Sequence, residues 1–244
     1  MAIVKNRIGD RYFFDNGTYM EIIECFKSKN ITVIFDDGTI VYKKQYDNFL
    51  LGAISNPLSK TVYGIGYLGF GSYKSTSNAY YRWRKIFERC YDKNFLNKNT
   101  SYLGCSVHPD WHNFQNFAEW YCKNNIKGWQ IDKDILFKGN KIYGQDTCCF
   151  VPMQINNLFT KSNSIRGKYY IGVSYIEKTN KYYSSIKINS KKIDLGRYDS
   201  NEEAYEVYKK NKEAHIKVKA NEFKPLLKKE VYNALIEYKV EITD

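Results

Sequence analysis

Residues 181–204 read KYYSSIKINSKKIDLGRYDSNEEA, in which two runs rich in Tyr and Ile stand on either side of Asn189-Ser190. Such residues favour extended chain and Asn-Ser favours a tight turn, so the pattern predicts strands over Tyr182–Ile188 and Lys192–Tyr198. A third run of this kind, Tyr170–Ile176, lies upstream across a short polar connector. The sequence therefore predicts a three-stranded antiparallel meander.

A helix signal follows the third strand. Ser200 and Glu203 form a capping box, in which each side chain accepts a hydrogen bond from the backbone amide of the other. The helix is predicted to extend to about residue 220, with these residues toward the sheet: Ala204, Val207 or Tyr208, and Ala214. A meander backed by one amphipathic helix leaves the other face of the sheet open.

Alternation along the middle strand assigns its two faces. The apolar set, which must meet the helix, is Tyr182, Ser184, Ile186 and Ile188. The opposite set, which faces away from the helix, is Tyr183, Ser185 and Lys187. A twisted sheet with a polar, basic outer face has a shape that can enter the major groove of DNA.

The composition of the 244-residue chain favours an anionic partner. Lys and Arg number 38 against 26 Asp and Glu, which gives a formal net charge of +12, and 23 Tyr accompany these cations. Aromatic rings interleaved with cations suit nucleic acid, because bases and sugars offer faces for stacking. An AT-rich source genome, which enriches Tyr, Lys, Asn and Ile, accounts for part of the same bias.

The sequence predicts a soluble, cytoplasmic protein with no membrane partner. No stretch approaches the eighteen or so consecutive apolar residues of a membrane span, and the N-terminus lacks the order of a signal peptide. The six Cys contain no C-x-x-C pair, so we expect buried thiols rather than disulfides or a zinc ribbon. Cys105, His108 and His112 have part of the spacing of a zinc site, but Pro109 interrupts the helix and no fourth ligand is apparent.

Charge and turn signals divide the chain into three predicted modules, residues 1–57, 58–164 and 165–244. The first holds seven cations and seven anions, whereas the second holds fourteen against seven and the third seventeen against twelve. Turn-rich stretches at Ser55-Asn56-Pro57 and at 161–164 mark the same boundaries.

The first module is predicted to be a small SH3-like β-barrel. Tyr19–Cys25, Ile31–Phe35 and Ile40–Tyr42 are rich in Ile, Val and Tyr, and Asp36-Asp37-Gly38 supplies the positive-φ residue of a tight hairpin. Because the module has no net charge, we expect it to be a scaffold or a contact surface for a host protein.

The middle module is predicted to begin with a helix over 77–91. One face carries Tyr80, Trp83, Phe87 and Cys90 at helical spacing. Arg82 and Arg89 lie on other sides of this helix, where they form either a solvated surface or one that faces phosphates. A second helix buries an aromatic stripe of Trp111, Phe114, Phe117, Ala118 and Tyr121.

The same module is predicted to end in a ββα unit. Its strands lie within Gly128–Ile135 and Cys148–Pro152, with a turn at Gly139-Asn140 between them. A short helix through Gln154, Asn157 and Phe159 follows. With the other modules, this arrangement gives an α+β fold built of three small parts.

The C-terminal motifs resemble the AP2 DNA-binding domain over about residues 166–222. They are Gly172-Val173-Ser174-Tyr175, Lys181–Lys187, Leu195–Ser200 and Glu202-Glu203-Ala204-Tyr205, in the order and with the gaps of that family. The resemblance implies a sheet that reads duplex DNA through Ser174, Lys178, Lys181, Tyr183, Ser185, Lys187 and Lys192. Asp194 and Ile171 stand where AP2 domains often have Trp and Arg, so the base preference does not carry over.

The middle module is similar to the phage and prophage proteins usually labelled HNH endonucleases. The matching motifs are Arg89-Cys90-Tyr91, Tyr102–Val107, Ile131–Ile135, Gly139–Tyr143 and Cys148-Cys149-Phe150. The resemblance implies that the protein acts in the cytoplasm of a bacterial host. It also implies a catalytic site with a divalent metal such as Mg²⁺, formed by Asp132, Lys133, Asp134 and Asn157. Lys133 stands where the family's general base, a His, is expected, and the identity of the metal is open.

Three functions follow as alternatives. The first is a phage-type endonuclease, in which the AP2-like sheet binds the site and the ββα unit cleaves it. The second is a catalytically inactive DNA-binding protein, a regulator or anti-defence factor, that keeps the nuclease fold. The third is a protein-binding factor that acts through its neutral N-terminal module.

Overall fold

The computed structural model describes residues 7–26, 30–159 and 168–242, and shows a mixed α+β fold with several small sheets. The chain divides into two compact units. The first comprises the residues up to Glu88 together with Pro109–Glu119, and the second comprises Arg89–His108 and the residues from Trp120 onward. The predicted boundary at 161–164 lies outside the described residues, as do the first six residues.

The first unit contains a four-stranded antiparallel sheet in sequence order. Its strands are β1 (Arg11–Phe13), β2 (Tyr19–Phe26), β3 (Asn30–Phe35) and β4 (Ile40–Lys44). Gly38 turns the β3–β4 hairpin with a φ of 85°, as predicted. A short helix, α1 (Tyr46–Leu50), follows β4.

The sheet is open, whereas a closed SH3-like barrel was expected. Within the described residues β1 pairs with β2 and β4 with β3, and no pairing joins β1 to β4. Phe49 of α1 and Ile54 pack into the core formed by Met20, Ile22 and Val33. α1 and the segment after it therefore cover this core. The core is complete although β1, which has only three residues, does not pair with β4.

The first unit also holds the predicted aromatic core. Trp83 and Phe87 of α2 (Asn78–Tyr91) and Phe114 of α4 (Phe114–Asn124) are fully buried. The indole Nε1 of Trp83 donates to the carbonyl oxygen of Trp111, which lies in a 3₁₀ turn (Pro109–His112), at 2.6 Å. The Gly-rich segment at 63–67 packs here, since a Cβ on Gly66 would lie 2.9 Å from the Trp83 ring. The aromatic stripes are therefore core, as their spacing predicts.

The second unit contains the predicted strand, loop, strand and helix in that order. They are β6 (Trp129–Asp132), an antiparallel partner β8 (Cys149–Pro152), and α5 (Met153–Asn156). The loop between the two strands contains β7 (Ile142–Tyr143), which pairs in parallel with β5 (Ser106–Val107). A short helix, α3 (Lys93–Lys98), precedes β5.

The C-terminal sheet follows the sequence pattern closely. Its strands are β9 (Val173–Ile176), β10 (Lys181–Ile188) and β11 (Lys191–Tyr198), with β10 in the centre, and α6 (Asn201–Phe223) and α7 (Lys229–Glu237) follow. The Glu203 amide donates to Ser200 Oγ at 3.1 Å. The strands, the turns and the start of the helix are confirmed.

One core holds the C-terminal sheet, α6 and the ββα segment together. Ile186 of β10 and Ile216 of α6 belong to the same buried cluster as Val151 of β8 and Ile155 of α5. The C-terminal segment joins them, because the Tyr205 hydroxyl donates to the Val240 carbonyl oxygen at 3.0 Å. Among the residues that the structure describes, no helix is both long enough and apolar enough to cross a membrane.

The prediction of which α6 residues are buried is correct in the first half of the helix and wrong in the second. Ala204 and Tyr208 are buried, but Ala214 is exposed and Ile216 is buried instead. In the first half, the Tyr208 ring lies against Gly172, which precedes β9. In the second half, Lys219 and Asn221 hydrogen-bond with side chains of α5 and α7. The buried stripe therefore shifts around the helix along its length.

Ser184 carries the first testable prediction. Its side chain is fully buried on the helix-facing side of β10, and its Oγ has no hydrogen-bond partner among the described residues. Ser184→Ala is expected to raise the free energy of unfolding by about 1 kcal/mol, because it removes a hydroxyl that loses water without replacement. Urea denaturation should show a higher midpoint at an unchanged slope. Ser185→Ala, on the other face, should change little; a destabilised Ser184→Ala protein would contradict the assignment.

Candidate nucleic-acid interface

Strand register defines the outer face of the C-terminal sheet in three rows across the strands. Tyr183 of β10 lies opposite Ser174 of β9 on one side and Arg197 of β11 on the other. The next row pairs Ser185 with Asp194, and the third pairs Lys187 with Lys192. We call this set the outer face: Ser174, Tyr183, Ser185, Lys187, Lys192, Asp194 and Arg197.

Burial agrees with the predicted assignment of the two faces. Ser184 and Ile186, which alternate with the outer-face residues, are buried against the rest of the unit. Ser174, Lys187 and Lys192 are exposed, whereas Tyr183 and Ser185 are half-buried. The five residues that the sequence assigned to this face therefore lie together on one side of the sheet.

Arg197 is the residue that sequence reasoning missed. The β10–β11 register shifts between Ser184 and Ser185, so that Ser184 pairs with Gly196 and Ser185 with Asp194, and Leu195 is the extra residue of a bulge. Strict alternation from Lys192 would bring residue 196 rather than 197 to the outer face. Gly196 was the sequence signal for this bulge, because Gly inside a strand often marks one. In the structure its φ is 116°.

Asp194 stabilises this bulge. The amide of Gly196 donates to its Oδ1 at 2.8 Å. One outer-face carboxylate is thereby engaged with the backbone, while the three cations of the face remain exposed. The electrostatic balance of the outer face is positive.

Tyr183 lies between two of these cations. The Lys192 Nζ is 4.7 Å from the centroid of its ring, and the Arg197 Cζ is 5.6 Å from it. Such cation–π contacts hold long side chains over an aromatic surface. The centre of the outer face therefore combines a ring, two flanking cations and the hydroxyls of Ser174 and Ser185.

Lys178 and Lys181 lie at the margin of the outer face. Lys178 is exposed in a 3₁₀ turn (Glu177–Thr179) that joins β9 to β10. Lys181 forms a salt bridge with Asp199, which offsets its charge locally. Of the two, Lys178 is the more available to an anionic partner.

The two arginines predicted on α2 have different surroundings. Arg89 hydrogen-bonds to the Tyr143 hydroxyl, and its Cζ lies 5.8 Å from the Tyr102 ring centroid. Burial raises the pKa of Tyr143, so the phenol stays neutral. Arg89 is thus held within the second unit, while Arg82 is half-buried in the first.

Three of the four predicted catalytic residues, Asp132, Lys133 and Asp134, form a tightly bonded turn at the end of β6. Asp132 Oδ1 accepts the backbone amides of Asp134 at 2.7 Å and Ile135 at 2.8 Å. Lys133 is 7% exposed, and its ammonium donates to both carboxylate oxygens of Asp134 at 2.8 Å and to the Asn140 carbonyl at 2.9 Å. Burial raises the pKa of the Asp132 carboxyl.

The carboxylates of this turn bond with a neighbouring side chain and with the backbone. The Asp134 carboxylate already faces the Lys133 ammonium, and Asp132 Oδ1 already accepts two amides. Asn157 is exposed and caps the end of α5. Over the ranges 7–26, 30–159 and 168–242, no three His, Cys, Asp or Glu side chains form a group that could hold a metal ion.

The six cysteines all lie within the described residues and form no disulfide there. Cys90, Cys105, Cys148 and Cys149 are buried as predicted, whereas Cys25 is half-buried and Cys122 is exposed on α4. Burial raises the pKa of Cys90 and of Cys148 to about 12, which keeps both thiols protonated at neutral pH. The four buried thiols are therefore poor nucleophiles.

Lys133 can be tested as a structural residue. Lys133→Met keeps the length of the side chain but removes its donors to Asp134 and Asn140, so it should lower the free energy of unfolding by about 2 kcal/mol. Lys127→Met, at an exposed position, is the matched control. Urea denaturation measures both variants, and a Lys133→Met protein as stable as the control would refute this role.

Comparisons of the chain with protein-family models, with curated proteins and with solved structures find no match.

Proposed function

We propose that this protein binds duplex DNA through the outer face of its C-terminal sheet, in the manner of an AP2-type domain. The sheet lies against α6 on one side and presents Tyr183, Lys187, Lys192 and Arg197 on the other. Cations of this kind contact phosphates, and hydroxyl and guanidinium groups contact the edges of bases. The proposal thus assigns affinity and sequence reading to one surface.

The pair Lys187 and Lys192 is the observation that carries the proposal. They lie directly opposite each other on adjacent strands, and both are exposed. Like charges in this arrangement destabilise a sheet. A phosphate between them converts that repulsion into attraction, and the counterions released from DNA add to the gain.

The ββα segment has a supporting role in this proposal. Val151 and Ile155 share the core that lies under the sheet and α6. Asp132, Lys133 and Asp134 bond with one another and with nearby backbone. In this proposal these bonds stabilise the turn, and none of the three residues acts as a general base. We therefore favour a DNA-binding protein that keeps an HNH-like ββα segment without using it for cleavage.

A gel experiment separates the alternatives. Purified protein is incubated with supercoiled and with linear plasmid in Mg²⁺, Mn²⁺ or EDTA, and both mobility and cutting are recorded. The proposal predicts a mobility shift in all three conditions and intact DNA in each. Metal-dependent cutting would overturn the supporting role of the ββα segment, and the absence of any shift would overturn DNA binding.

A further inference from the structure

A cavity of about 350 Å³ opens beside β8 in the second unit. Three aromatic side chains line it, Trp120, Trp129 and Phe150. The rings of Trp120 and Phe150 stack with centroids 5.3 Å apart and an interplanar angle of 23°. The volume lies within the range of about 300–1,000 Å³ that is typical of small-molecule sites.

Two carboxylates also line the cavity. Asp146 and Glu230 both border the cavity, and within the described residues neither side chain has a hydrogen bond or a salt bridge. The one lysine of the lining, Lys228, donates its ammonium to the Asn124 side-chain oxygen. The site therefore carries an excess of negative charge in a chain whose formal net charge is +12.

Aromatic faces and carboxylates share a preference for cations. The face of an indole or phenyl ring carries the negative part of its quadrupole, which attracts a cation within about 6 Å. An alkylated ammonium group also has an apolar surface and is weakly hydrated, so removing its water in a pocket of this kind costs little free energy. From this combination we infer that the cavity binds an alkylated ammonium group, a function separate from the DNA-binding face.

A nucleobase or nucleotide fits the cavity less well. Asp146 and Glu230 would repel the phosphate that accompanies a nucleotide. Trp120 and Phe150 stack on each other, so they do not leave a gap between them into which a base could insert. Binding of adenosine monophosphate in preference to a quaternary ammonium ion would overturn the inference.

The test compares choline with its neutral isostere, 3,3-dimethylbutan-1-ol, by isothermal titration and by Trp fluorescence. Both ligands fill the same volume, so a pocket that selects the charge should bind choline at least about tenfold more tightly. Glu230→Gln should weaken choline binding by about tenfold, while Glu237→Gln, an exposed carboxylate on the same helix, should not. Equal affinity for the two ligands, or no binding of choline, would refute the inference.

A second arm distinguishes the sources of the ammonium group. A short peptide with one trimethylated lysine is titrated against the unmodified peptide and against free choline. Tighter binding of the trimethylated peptide than of choline would identify a modified protein as the source, and the reverse order would identify a free small molecule. Both orders support the ammonium site, whereas equal binding of the modified and unmodified peptides contradicts it.

Discussion

Replacing both Lys187 and Lys192 with Ala is expected to weaken binding to duplex DNA by about 60-fold at about 0.1 M salt. The two residues supply adjacent cations on the outer face, and each is expected to contact one phosphate. Each phosphate contact makes the binding constant vary as roughly the −0.9 power of salt concentration. The salt slope of the double variant should therefore be smaller by about 1.8.

Fluorescence anisotropy with a labelled duplex at several salt concentrations measures both quantities. Lys210→Ala with Lys217→Ala is the matched control, because it removes the same charge from exposed positions on α6. The control should keep most of the affinity and nearly the same slope. Equal losses in the two double variants would mean that net charge, rather than the outer face, determines binding.

Gly172→Ala is expected to lower the free energy of unfolding by about 2–5 kcal/mol. Gly172 has a φ of 78°, and an added Cβ would lie 2.0 Å from Cδ2 of Tyr208. Its carbonyl oxygen accepts the Ser185 amide at 3.0 Å, so the segment before β9 is fixed between α6 and β10. The added methyl group meets both a strained backbone and a buried ring.

Gly139→Ala separates these two causes. Gly139 has the same φ of 78° but nothing within 4 Å of an added Cβ. This variant should lose only the cost of a left-handed backbone, about 1–2 kcal/mol. Urea denaturation of both variants gives the comparison, and equal losses would show that the approach of Tyr208 to Gly172 contributes nothing.

Much of the C-terminal fold could be predicted because its signals are local. Alternation in β10, the turn at Asn189-Ser190 and the cap at Ser200 each depend on residues close together in the chain. The same alternation identified Tyr183 and Lys187 on the outer face. Local periodicity also identified the buried stripe of aromatic residues around Trp83.

The remaining features depend on contacts between distant residues. The bulge at Leu195 changes which residues of β11 reach the outer face, so Arg197 was missed. Ile216 replaces Ala214 in the core because α5 and α7 contact the second half of α6, where they bond with Lys219 and Asn221. The bonds of Lys133 with Asp134 and Asn140 likewise require the folded loop after β6.

Chemical-shift mapping of the labelled protein with duplex DNA tests the central claim most directly. The account predicts that the largest changes fall on amides of the outer face, at Ser174, Tyr183, Lys187, Lys192 and Arg197. Changes at these amides that disappear in the Lys187→Ala, Lys192→Ala variant would locate the interface there. Changes confined to α2 or to the N-terminal sheet, with the outer-face amides unmoved, would contradict it.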